Sequence, residues 1–267
     1  AGDAGSLPAV GGPAAAAAER GEAIGAGLAG SMTLGVGQFC VKPGLVLAPA
    51  GPAGDALLKS LTEAVSDTEA GVLLDHRLRD NFVAGVAERT GLPDVESPVT
   101  PGAGGEHTVS AGFLTVPASR LAEEGAHDLL LEECFGPVTV VARYADDREV
   151  RGVLSRLPGN LTATVQLSAA ETAGEGRGAE LVRDLTPLAG RVLVNGWPTG
   201  VAVAPAQHHG GPYPATTSTS TSVGGTAIER WLRPVVYQGT PEALLPAELR
   251  DDNPLGLPRR FNGSLEH

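Results

Sequence analysis

The chain has 267 residues, 42% of them hydrophobic, and a formal net charge of −12. That length suits one α/β domain with an appendage. The acidic balance argues against nucleic-acid and anionic-membrane partners, which need a cationic face, and no window holds the roughly 18 uninterrupted apolar residues of a membrane span.

The Ala-rich start has no basic leading segment, and Asp3 and Glu19 stand where positive charge would be expected, so it reads as no targeting segment. Residues 44–48 are a short apolar run bounded by Gly and Pro, as a buried strand requires. Leu57, Leu61, Ala64 and Val65 then fall on one helical face, with Asp55 placed to cap it. Leu78, Phe82 and Val86 make a second stripe, and residues 101–105 read as a Pro/Gly linker between units. Residues 138–144 predict a strand, Val150, Val153 and Leu154 a helix, and 161–167 another strand. The Gly-rich stretch 170–178 breaks a helix, 180–188 is a weaker helix, and 191–195 is a strand. Residues 216–222 are a Ser/Thr run of low complexity, read as exposed. From Thr226 a short helix leads to a brief strand at 235–238 (Val-Val-Tyr-Gln) and a Pro-rich tail. That strand has no helix after it and reads as an edge or inter-subunit element. The alternation predicts an α/β fold with a doubly wound, mostly parallel sheet. Sites are then expected beyond the carboxyl ends of the strands.

Two segments carry the chemistry. In Gly37-Gln38-Phe39-Cys40, glycines let the backbone approach a ligand, and a cysteine at such a turn can serve as a nucleophile. Taken singly, a lone cysteine is more often a small buried hydrophobe. In Glu132-Glu133-Cys134-Phe135-Gly136-Pro137-Val138, two carboxylates precede a turn into an apolar strand. Cys134 reads as core. With only these two cysteines, a disulfide framework is excluded and a reducing cytoplasm is favoured. His208-His209 offers no set of metal ligands at a useful spacing, and no metal is expected.

Gly-Gln-x-Cys followed some ninety residues later by Glu-x-Phe-Gly-Pro-Val resembles the aldehyde dehydrogenase superfamily. The stretches 190–200 (GRVLVNGWPTG), 209–216 (HGGPYPAT) and 228–234 (IERWLRP) are similar to its NADP-preferring branch, which includes 2,5-dioxopentanoate (α-ketoglutaric semialdehyde) dehydrogenases. The resemblance covers essentially the whole chain and matches the C-terminal, catalytic half of such proteins. It implies that Cys40 attacks an aldehyde, that Glu133 binds the nicotinamide ribose, and that Phe135 packs beside the ring of NADP or NAD. Asp3, in Asp3-Ala4-Gly5-Ser6-Leu7, stands where the family has its general-base Glu, and is one methylene shorter. The resemblance implies a cytoplasmic oxidoreductase taking a small aldehyde, a short oxo-acid semialdehyde, to the acid. It also implies a homodimer or homotetramer joined through the C-terminal strand.

The expected organisation is a catalytic α/β domain over 1–205, then a loop, helix, oligomerisation strand and tail over 206–264. Residues 265–267 read as a tag remnant. No Gly-x-Gly-x-x-Gly turn between a strand and a helix is present, so this chain by itself is expected to lack the cofactor domain and to show little oxidation. The alternative reading is a non-catalytic relative acting as a structural or binding subunit.

Overall fold

The computed structural model describes residues 9–11 and 14–266. It divides into two units, Ala1–Arg230 and Trp231–His267. Asp3 lies outside the described residues.

In the first unit, β1 (Ala9–Gly11) and α1 (Ala14–Thr33) precede a 3-10 turn at Leu34–Gly37, β2 (Leu45–Pro49) and α2 (Pro52–Ser66). Then come β3 (Gly71–Val72), α3 (His76–Thr90), β4 (Glu96–Val99), β5 (Gly102–Ala103), β6 (Thr108–Ser110) and β7 (Gly112–Pro117). The unit continues through β8 (Val138–Tyr144), α4 (Asp147–Arg156), β9 (Asn160–Gln166), α5 (Ala169–Thr172), α6 (Gly178–Leu185) and β10 (Ala189–Val194).

The main sheet runs β10-β9-β1-β2-β8-β7-β4, parallel throughout except for β4, which pairs antiparallel with β7. All five residues of β2 and all seven of β9 are buried; β2 accordingly reads as a continuous apolar run, whereas β9 alternates Asn160, Thr162, Thr164 and Gln166 with Leu161, Ala163 and Val165. Alternate residues of β2 serve different cores. Leu45 and Leu47 join Phe82, Val153 and Leu185 on one face, while Val46 and Ala48 join Leu28, Met32 and Leu61 on the other. The doubly wound α/β expectation therefore holds.

The structure changes several local readings. Helix α1 was not foreseen: its Ala/Gly-rich sequence carries only a narrow stripe, Ile24, Leu28 and Met32, all of it buried. It docks on α2 through Gly25, where a Cβ would stand 2.4 Å from the Leu57 carbonyl oxygen. Asp55 does not cap α2. Gly51 occupies the cap, and Asp55, one turn in, pairs with Arg143 at 2.7 Å instead. Residues 101–105 are not a linker, since Gly102–Ala103 pairs with β6, and β6 with β3, in a small antiparallel sheet. The Gly-rich break falls as expected between α5 and α6.

The second unit is built from 3-10 turns at Glu242–Leu244 and Ala247–Leu249 and from a hairpin, β11 (Arg259–Phe261) with β12 (Ser264–Glu266). Leu265 and Glu266 lie in β12. Residues 235–238 form no strand, and Val236 is 85% exposed. A segment of that kind needs a neighbouring ladder to become a strand. Among the described residues no helix is long and apolar enough to cross a membrane.

Candidate active site around Cys40

The sequence places Cys40 just ahead of β2 and Glu133 and Phe135 just ahead of β8, and these two strands are neighbours. The site therefore gathers at the amino ends of the parallel strands, not at the carboxyl ends that the general rule for open sheets predicts. The reason is local. Helix α1 ends in a turn where Gly35, Val36 and Gly37 all take positive φ, and this turn throws the chain back across the sheet edge before β2 begins. A positive φ is costly for a β-branched residue such as Val36 and free for glycine. At Gly37 there is a second demand. A Cβ there would lie 2.4 Å from the Gly136 carbonyl group, so the two motifs meet backbone to backbone.

Gln38 anchors the turn. Its Nε2 donates to the Gly35 and Val72 carbonyls at 3.1 and 3.3 Å, and its Oε1 accepts from the Leu74 N–H at 2.8 Å. Lys42 anchors the other end. It is 2% exposed, and its Nζ donates to the Val138 carbonyl at 2.7 Å and to the Cys134 carbonyl at 3.3 Å. Cys134 packs partly buried against the core, as expected. Glu133 and Phe135 are both half-buried.

Cys40 itself is exposed. Its Sγ lies 3.3 Å from Nε2 of His209, a residue 169 positions away. Partial burial raises the thiol's pKa above the usual 9.0, and the Glu133 carboxylate raises it further. The Cys40 backbone N–H and the Arg191 guanidinium act the other way. His209 is held below the usual 6.5 by burial, by Arg191 and by His208. At neutral pH the pair is thus a thiol beside an uncharged imidazole, with a cation close by.

Neither His209 nor Arg191 was foreseen as part of the site. In the sequence, His209 reads as a poor metal ligand and Arg191 as part of a strand, and both fall in the family-like stretches 209–216 and 190–200 with no role attached. Among the described residues, no group of three or more His, Cys, Asp or Glu side chains could hold a metal ion. The Ser/Thr run read as exposed is in fact the scaffold of His209. Thr221, 3% exposed, accepts from the His209 N–H at 2.7 Å, and Ser222 Oγ donates to the His209 carbonyl at 3.1 Å. Thr216 Oγ1 donates to the Gly211 carbonyl at 2.9 Å and tightens the same loop. The loop docks on the sheet at Gly190, whose Cβ would stand 2.0 Å from the Gly210 oxygen.

Comparison with known proteins bears on the sequence and the fold. No protein-family model matches the chain. An alpha-ketoglutaric semialdehyde dehydrogenase 2 from Azospirillum brasilense is 44% identical over 262 residues, covering 94% of this chain and 47% of that protein. An alpha-ketoglutaric semialdehyde dehydrogenase from Acinetobacter baylyi is 37% identical over 250 residues, covering 92% of this chain and 46% of that protein. The chain thus spans about half the length of the curated relatives it matches. Among solved structures, a delta-pyrroline-5-carboxylate dehydrogenase from Mycobacterium tuberculosis superposes with a TM-score of 0.65 at 20% identity, over 85% of this chain and 41% of that one. A methylmalonate-semialdehyde dehydrogenase from Oceanimonas doudoroffii gives 0.62 at 18% identity, over 84% and 45%. By sequence along nearly its whole length, and by fold, this chain is a member of the aldehyde dehydrogenase superfamily.

Proposed function

We propose that this chain carries the nucleophile of an NAD(P)-dependent oxidation of an aldehyde to a carboxylic acid, with Cys40 as the attacking group. The observation that carries the reading is the exposed thiol paired with a neutral imidazole and facing the Glu133 loop. His209 takes the thiol proton, and the thiolate adds to the aldehyde carbon, giving a thiohemiacetal. The Cys40 backbone N–H and Arg191 stabilise the charge that develops on sulfur and oxygen. A bound nicotinamide would supply the acceptor for the hydride that leaves this carbon. Water then hydrolyses the resulting thioester and frees the thiol and the acid. Asp3 is proposed as the base for that water, by its place in the sequence alone.

Glu133 and Phe135 fit the nicotinamide end of the cofactor. A half-buried carboxylate is an acceptor for ribose hydroxyls, an aromatic face suits the ring, and both sit on the loop pressed against the nucleophile turn. NADP is proposed over NAD from the likeness of residues 190–216 to the NADP-preferring branch. The substrate proposed is a short oxo-acid semialdehyde, supported by the names of the two relatives and by the cationic field of Arg191 beside the thiol. Two unpaired cysteines suit a reducing cytoplasm. The proposed organisation is a catalytic domain over 1–205 and an appendage over 206–264, with 265–267 a tag remnant.

The test is acylation of the thiol by a p-nitrophenyl ester. A stoichiometric burst of p-nitrophenol is expected, lost in Cys40→Ser and kept in Cys134→Ser. A burst that survives Cys40→Ser rules the nucleophile out.

The exposed apolar segment 235–238 is proposed to add as a strand to a second copy of the chain, giving a homodimer or homotetramer. Sedimentation should then show a species heavier than 27.0 kDa that Val236→Asp dissociates. A parent chain that stays monomeric at micromolar concentration contradicts it.

A further inference from the structure

Lys42 stands apart in the core. It is among the largest fully buried side chains, and an apolar residue of similar length would fill its place without the cost of burying a charge. Burial pushes its pKa down from 10.5 to about 8, against the pull of the Glu133 and Cys134 charges and with the push of Arg89. Both of its acceptors are backbone carbonyls, Cys134 and Val138, at the two ends of the loop that holds Phe135, Gly136 and Pro137.

A second buried cation grips the same loop from the other side. Arg89, 5% exposed on α3, donates through Nη2 to the Glu132 and Glu133 carbonyls at 3.1 and 3.4 Å. Its Nη1 donates to Gly85, in its own helix, at 3.0 Å. The backbone of Glu133 is therefore clamped between a helix and the nucleophile segment. Lys42 is the member of that clamp that lies two residues from Cys40.

We propose that Lys42 is a positioning residue that fixes the Glu133 carboxylate relative to the Cys40 thiol, by tying the segment after the thiol to both ends of the Cys134–Val138 loop. The assignment rests on Cys40 being the nucleophile.

A double-mutant cycle reads it directly. Alkylation of Cys40 by iodoacetamide is followed across pH, with peptide mass spectrometry separating it from Cys134. The groups that set the Cys40 midpoint are Glu133, Arg191 and His209, of which the cycle changes one. In the parent chain, Glu133→Gln removes a neighbouring negative charge and lowers the midpoint by about 0.5 pH units. In a Lys42→Met background, the same substitution should move it by less than about 0.2, because the carboxylate is no longer held in place. An undiminished shift, or no shift in the parent chain, overturns the proposal. If Lys42→Met does not fold, Lys42→Gln carries the cycle. Its amide reaches one carbonyl but cannot span both, so the Glu133 effect must shrink there as well. A parent Cys40 that alkylates no faster than Cys134 is a different failure and removes the nucleophile itself.

Discussion

Two segments meet at the Cys40 thiol, and they are held by different chemistry. The Glu133 side is fixed by buried cations, Lys42 and Arg89, whose donors reach four backbone carbonyls between Glu132 and Val138. The His209 side is fixed by hydroxyls. Thr221, Ser222 and Thr216 bond the backbone of residues 209–211, and among the described residues no ionised group does so. Hydrogen bonds from charged groups contribute about 1.5–3 kcal/mol and neutral ones about 1. The Glu133 side should therefore be the stiffer of the two, and the His209 side the more yielding.

The two sides were also unequally legible. Cys40 and Glu133 lie in short contiguous motifs, so the sequence shows both. His209 meets Cys40 across 169 positions. The stretch that it opens, 209–216, carries a family likeness but no local sign that it reaches the thiol. The Ser/Thr run misled for the same reason, because its hydroxyls bond a loop that they themselves create. Strands β2 and β8 were legible because strands buried on both faces write nearly continuous apolar runs. Helix α1 was not, because most of its buried face is glycine and alanine and its stripe is confined to Ile24, Leu28 and Met32 in the second half.

The sharpest way to break the comparison is at the imidazole. His209→Asn removes the base but keeps the backbone bonds to Thr221 and Ser222. At pH 7 Cys40 alkylation should slow by about a hundredfold, at the low end of what a positioned base supplies. The pH dependence fixes the sign. The imidazole's pKa lies below 6.5, so above that pH it is neutral and accepts the thiol proton. As pH falls through its pKa it charges, stops accepting, and the parent rate should drop more steeply than thiol ionisation alone requires. In His209→Asn that extra steepness should vanish. An unchanged rate at pH 7 would mean the 3.3 Å contact has no part in proton transfer.

A smaller effect separates the hydroxyls from one another. Thr221→Val keeps the shape of a 3% exposed side chain but leaves the His209 N–H without its acceptor. The cost to stability should be about 1–2 kcal/mol, the penalty for an unmet buried donor. Cys40 alkylation at pH 7 should fall about threefold as the imidazole loosens. Ser222→Ala is the internal control, since that hydroxyl is exposed and water can replace its bond to the His209 carbonyl. It should change stability by less than about 0.5 kcal/mol. In neither variant should the response of Cys40 to Glu133→Gln change, because the cation-held side is untouched. If Thr221→Val altered that response as much as the rate, the two sides would be one mechanical unit, and the division between charge-held and hydroxyl-held halves would have to be given up.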